Sequence, residues 1–141
     1  MAFKVFLDAN VLLDFTLKRE KYEVSKKLVQ QIIEGNFQAF ITPSIIHITG
    51  YWLTKAYGAD RAKAILLELL TFIRVIDCPH EVAMNALNSV MTDIEDALQY
   101  YAALHHQLDF FITQDRLLQS TAMSVLPAYA PDEFLKLFSN K

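Results

Sequence analysis

Four aspartates carry the clearest chemical signal in this sequence: Asp8, Asp93, Asp96 and Asp115. Asp8 directly follows the apolar run FKVFL, and Asp115 closes FFITQD, two residues past the run DFFIT at 109–113. Asp93 and Asp96 open a helical pattern just ahead of that second run. Residues three and four apart share a helix face, so Asp93, Asp96, Ala97 and Tyr100 fall roughly in line. If the two runs are neighbouring strands, these carboxylates converge. Aspartates gathered without His or Cys make a hard-oxygen site, which suits Mg²⁺ or Mn²⁺ better than Zn²⁺. Such an ion lowers the pKa of a bound water and stabilises charge on a phosphodiester during in-line displacement. No other catalytic motif competes: the chain lacks G-x-S-x-G, a P-loop and G-x-G-x-x-G.

Each acid also has a local explanation. Asp8 could cap a helix starting at Asn10. Asp93 and Glu95 fall in a first helical turn, where acids favour the dipole, and Glu95 reads mainly that way. Asp115 could be an ordinary turn residue. Asp96 precedes an Ala-rich, aromatic face that should be buried, which a solvated acid does not explain. Asp14 shares a helix face with Asn10 and either reaches the site or faces solvent. His80, His105 and His106 read as structural, and Tyr51, Trp52, Tyr100 and Tyr101 as core or interface aromatics. The basic cluster Lys18, Arg19, Lys21, Lys26 and Lys27 is either a solvated helix end or an edge that contacts phosphate.

The elements that must position these groups alternate. Phe3–Leu7 reads as a buried parallel strand, followed by helices at 10–17 and 24–33, with Gly35 and Asn36 as the stop. A strand at Phe37–Ile41 leads to Thr42-Pro43, an N-cap and first helical position, and a helix to Tyr57 that Gly58 ends. A helix at 61–72, a strand at 74–76 and a helix after Pro79 follow. Thr92-Asp93-Ile94-Glu95 matches a capping box, with its helix ending near Leu108. Strands are expected at 109–113 and 124–126, then a last helix, PDEFLKLF, from Pro131. Such alternation gives a mostly parallel sheet of about five strands, covered on both faces in an α/β/α sandwich.

Composition sets the outer limits. The chain has 141 residues, 53% of them hydrophobic and 21% charged, which suits one compact domain over residues 1–141. Only 3 Gly and 4 Pro argue against long structureless loops. The longest apolar run, at 64–73, is too short for a membrane span and contains Glu68. The N-terminus starts straight into a strand pattern, unlike a signal peptide, and the one cysteine, Cys78, forms no internal disulfide. A cytoplasmic location is expected. A net charge of −3 argues against nucleic-acid binding through charge alone, yet suits an acidic site that recruits cations.

Taken together, FLDANVLLD (6–14), DIEDALQYYAAL (93–104) and FFITQD (110–115) resemble the three acidic motifs of PIN-domain proteins. The closing VLPAYAPDEFL is similar to the strand, then Pro, then E-F-L ending of one branch, and DIEDAL is similar to the motif of the branch with D-x-E-D-A-L. The resemblance spans nearly the whole chain. It implies a PIN-like fold and, by likeness to VapC-type toxins, a Mg²⁺- or Mn²⁺-dependent endoribonuclease. It also implies a dimer, RNA as substrate and a small antitoxin as partner. The family's acids map onto Asp8, Asp96 and Asp115, with Asp93 as an additional acidic position. One departure stands out. The family carries a glutamate on the helix after the second strand, but TPSIIHITGYWLTK has no acid, and His47 or Thr49 is near the expected place. That loss weakens metal binding, changes the metal, is made good by Asp93, or marks a module that binds RNA or a protein without cutting. A small phosphatase or receiver-like domain also clusters acids at strand ends. However, the chain lacks the receiver's acid pair after the first strand and its lone mid-chain aspartate.

Overall fold

The computed structural model describes residues 2–139. The first half of the chain runs β1 (Phe3–Leu7), α1 (Ala9–Thr16), α2 (Tyr22–Ile33), β2 (Phe37–Ile41), α3 (Pro43–Tyr57), α4 (Ala59–Leu69) and β3 (Ile73–Val75). The second half runs α5 (His80–Leu87), α6 (Ile94–His105), β4 (Phe110–Ile112), α7 (Arg116–Thr121), β5 (Ala128–Tyr129) and α8 (Pro131–Phe138). The five strands form one sheet in the order β3-β2-β1-β4-β5, and every pairing is parallel.

Period-two alternation divides the core into two layers. Phe6 and Phe111, paired across β1 and β4, stack at 4.7 Å on one face, where Tyr100 of α6 meets Phe111. Phe37 and Phe110 point to the other face and meet Phe134 of α8 at 4.8 and 5.3 Å. Helices therefore cover both faces, and the centre of β1 is sealed: Val5, Phe6 and Leu7 are each 0% exposed. This is why the strand ends in three apolar residues, Val5, Phe6 and Leu7, instead of alternating, while Lys4 lies at its exposed start. Among the helices, α1 packs on α2 and α3, α3 on α4, and α5 on α6.

The connections follow local chemistry. Gly35 has φ +84° just beyond α2, and the amide of Asn36 reaches back to Gln31 O, closing the helix in the left-handed turn glycine favours. Gly58, at φ +87°, ends α3 and starts α4. Thr42 caps α3 as its sequence suggests.

Two expectations need correction, and one helix, α7, has no counterpart among the expected elements. The last strand is Ala128–Tyr129, not 124–126. Leu126 is apolar because it is fully buried, its carbonyl accepts from the Tyr100 hydroxyl, and its amide closes a turn onto Met123 O. The pairing bonds are made one step later, where Pro127 and Tyr129 carbonyls accept from Phe111 and Thr113. The cap of α6 is Asp93, not Thr92, since the Asp93 carboxylate accepts from the Asp96 amide. Finally, α7 is short and lies in a stretch with no clear apolar period.

Candidate functional site

The chain builds β1, moves outward through β2 to β3, then returns past β1 to add β4 and β5 on the other side. The order reverses between β1 and β4, and ligands bind such sheets at the carboxyl ends of the strands at that point. Asp8 is the first residue beyond β1, and Thr113 the first beyond β4. The register continues across them, since the Asp8 amide donates to Ile112 O at 3.0 Å. Asp8 Oδ1 accepts from the Ala9 amide at 2.8 Å, and Oδ2 accepts from the Thr113 hydroxyl at 2.7 Å. Thr113 Oγ1 in turn accepts from the Asp115 amide at 3.0 Å.

Asp115 caps α7, its Oδ1 accepting from the amides of Leu117 and Leu118 at 2.9 and 3.2 Å. Asp93 caps α6 through the Asp96 amide at 2.9 Å. Three of the four acids are therefore N-caps, and the N-termini of α1, α6 and α7 all meet here. The capping explanation and the site explanation hold together: in Asp93 and Asp115 the cap uses one oxygen, and in Asp8 the second oxygen takes the Thr113 hydroxyl. Asp96 alone is not a cap. It lies half-buried on the first turn of α6, with the Asp115 carboxylate in hydrogen-bonding reach.

The electrostatics record this convergence. Burial, then the charges of Asp93, Asp8 and Asp115, push the Asp96 carboxyl up to about 7. Burial also raises Asp8 against the pull of its Thr113 and Ala9 hydrogen bonds, with Asp115 and Asp93 adding to the rise. Like charges that resist ionising together mark a place that a cation would relieve. Glu95 belongs to this group as well. It is raised by burial and by the charges of Asp93 and Asp8, although its first-turn position explains it without any site. The E in D-x-E-D was the signal for it, but a capping box reads the same way.

The donor set fits a hard divalent ion in one form only. Among the described residues, no three His, Cys, Asp or Glu side chains stand ready to enclose a metal. Mg²⁺ usually keeps several waters and uses one or two carboxylates, which the adjacent Asp96 and Asp115 supply. No acid comes from α3; the residue beyond β2, Thr42, instead bonds Gln99 of α6.

The basic cluster divides. Arg19 turns back toward the site: its guanidinium meets Asp14 at 2.8 Å and the Asn10 carbonyl and side-chain oxygens at 3.2 and 3.3 Å. Asp14 is buried and also takes Gln114, beside Asp115, at 3.5 Å. Asp14 is thus tied into the edge of the site instead of facing solvent. Lys18 and Lys26 lie over the Tyr22 ring, at 5.8 and 5.9 Å. Lys21 is exposed at the start of α2. His106 has a partner the sequence did not reveal, the Asp77 carboxylate at 2.8 Å.

Known proteins share this arrangement of strands. Mycobacterium tuberculosis VapC20, a toxin described as cleaving the sarcin-ricin loop, superposes with a TM-score of 0.68 at 13% identity, over 87% of this chain and 98% of its own. A Klebsiella pneumoniae toxin-antitoxin complex gives 0.68 at 16% identity, over 90% and 97%. A protein from Pyrobaculum aerophilum gives 0.68 at 21% identity, over 100% and 98%. Among curated proteins, none matches in sequence. The sequence profile described as a PIN domain matches residues 4–117, taking in all four aspartates. The chain belongs to the PIN domain family.

Proposed function

We propose that this protein is a Mg²⁺- or Mn²⁺-dependent endoribonuclease, the toxin of a VapBC-type toxin–antitoxin pair, built as one domain over residues 1–141. The observation that carries the reading is the meeting of Asp8, Asp96 and Asp115 where β1 and β4 end, with the Asp96 carboxyl pushed up to about 7 by burial and then by its acidic neighbours. Family membership and the likeness to toxin structures support it.

In this reading Asp96 and Asp115 would hold the ion. Asp8, its oxygens fixed by Ala9 and Thr113, would orient water beside it. Asp93 keeps the first turn of α6 in place and adds negative charge. The bound ion supplies an activated water and screens the phosphate. Asp96 would have to be ionised to hold the ion. Arg19, with Lys18 and Lys21 beyond it, contacts the RNA backbone at the rim. A second copy of the chain and a small antitoxin complete the assembly, in the cytoplasm. Among the described residues, no helix is long and apolar enough to cross a membrane.

One observation favours a second reading, a PIN module that binds RNA or a protein partner without cutting. The α3 helix offers no carboxylate, and among the described residues no three acids stand ready for an ion. The experiment is direct: purified protein and its Asp8→Asn variant are incubated with RNA and Mn²⁺. Loss of about two orders of magnitude in cleavage rate supports the nuclease. Equal cleavage by both points to a contaminant, and RNA retention without cleavage supports the second reading.

A further inference from the structure

Gln99 lies on α6 one turn beyond Asp96, on the same helix face. It is 2% exposed, and its partner Thr42 is 3% exposed. The Thr42 hydroxyl donates to Gln99 Oε1, joining residues 57 positions apart. Thr42 is the first residue after β2, as Asp8 is after β1, and the two strands run in parallel register through Phe6 and Phe40. Thr42 Oγ1 also accepts from the Ile45 amide at 3.4 Å to cap α3. One hydroxyl thus joins the end of β2, the start of α3 and the middle of α6, next to the strand that carries Asp8.

Nothing about stability calls for glutamine here. Its Nε2 is buried without a hydrogen-bond partner, a costly arrangement that an apolar side chain of equal length avoids. Its neighbours on α6, Ala102 and Ala103, are apolar and sealed. The α6 helix needs no polar anchor to be buried. It does need a fixed height above the sheet, because Asp96 on its first turn must meet Asp8 and Asp115. Apolar packing tolerates small slides along a helix axis, whereas a hydrogen bond to a strand end does not.

We propose that Gln99 is a positioning residue: through Thr42 it sets where α6 stands over the carboxyl edge of the sheet, and so where Asp96 stands relative to Asp8. This rests on the reading that these acids hold a divalent ion. The test uses the full chain and Mn²⁺ binding followed by electron paramagnetic resonance, alongside thermal melting in EDTA and RNA cleavage. Gln99→Met keeps length and apolar volume. The expected result is melting close to the wild-type temperature, because relief of the unpaired Nε2 is offset by a Thr42 hydroxyl left without its acceptor, with Mn²⁺ affinity reduced about tenfold, and kcat lowered with KM for RNA unchanged. Thr42→Ser keeps the hydroxyl and should bind Mn²⁺ as wild type does; Thr42→Val should lose affinity as Gln99→Met does. If Gln99→Met does not fold, the Thr42 pair carries the comparison. Wild-type Mn²⁺ affinity in Gln99→Met, or equal affinity in Thr42→Ser and Thr42→Val, overturns the proposal and leaves the metal reading standing. A wild-type protein with no saturable Mn²⁺ site overturns the metal reading and this proposal with it.

Discussion

Thr113 donates its hydroxyl to Asp8 Oδ2 at 2.7 Å while its own Oγ1 accepts from the Asp115 amide at 3.0 Å. One buried side chain therefore fixes the carboxylate after β1 and the backbone of the turn that presents the carboxylate after β4. The two strands pair directly, so the switch point of the sheet becomes a rigid corner. The hydroxyl also favours the ionised form of Asp8, against its burial and the charges of Asp115 and Asp93.

Removing that hydroxyl should loosen the corner and raise Asp8 further. Thr113→Val is nearly isosteric but leaves Asp8 Oδ2 and the Asp115 amide without their partner. We expect it to cost about 1–3 kcal/mol in urea unfolding and to weaken Mn²⁺ binding. Thr113→Ser should restore most of both. A valine variant that binds Mn²⁺ like wild type would show that Asp8 needs no help from Thr113.

Asp96 makes stability depend on pH in an unusual direction for an acid. Its folded pKa of about 7 lies above the ordinary 3.8, so between these values the folded protein holds a proton that the unfolded chain has released. Linkage then makes stability fall as pH rises from about 4 through 7, and the penalty is complete above that. Asp8 and Glu95, also raised, act in the same direction. In EDTA the melting temperature should drop between pH 5 and pH 8. Asp96→Asn should flatten part of that drop and melt about 3 °C above wild type at pH 8. Mn²⁺ affinity should rise over the same pH span, because the ion must displace the proton. A metal-free melting curve that climbs from pH 5 to 8 would contradict this assignment.

The parts of this arrangement that follow chain-local rules were open to reading from sequence. The strand β1 announces itself as an apolar run, Gly58 and Thr42-Pro43 punctuate α3, and the spacing of Asp8, Asp96 and Asp115 relative to two strands implies their meeting. What could not be read depends on contacts between distant positions. The strand at 128–129 has no pattern of its own and exists because the amides of Phe111 and Thr113 need carbonyl partners. The apolar look of 124–126 comes from Leu126 filling the core, a demand of burial and not of strand pairing. Thr113 and Gln99 look like ordinary residues of a strand end and a helix. Their bonds to Asp8 and Thr42 cross 105 and 57 positions, and no local period encodes them. Asp77 and His106 were missed for the same reason.

Arg19 gives a separable test of structure and substrate binding. Its guanidinium compensates Asp14, whose side chain is 9% exposed, while its own is 40% exposed. Arg19→Gln leaves that buried carboxylate without its cation. Because the arginine is partly in water, the cost is set at about 1–2 kcal/mol, below the loss for a sealed pair. Adding Asp14→Asn removes the stranded charge and should return most of the stability, a coupling that a double-mutant cycle detects. RNA binding should not return with it. If Arg19 contacts a phosphate, both the single and the double variant should bind RNA less tightly, with a salt dependence reduced by about one phosphate contact. Lys21→Gln, remote from Asn10 and Asp14, should change affinity less. Should the double variant regain both stability and wild-type RNA affinity, Arg19 serves only to neutralise Asp14, and the rim of the site must find its cation elsewhere.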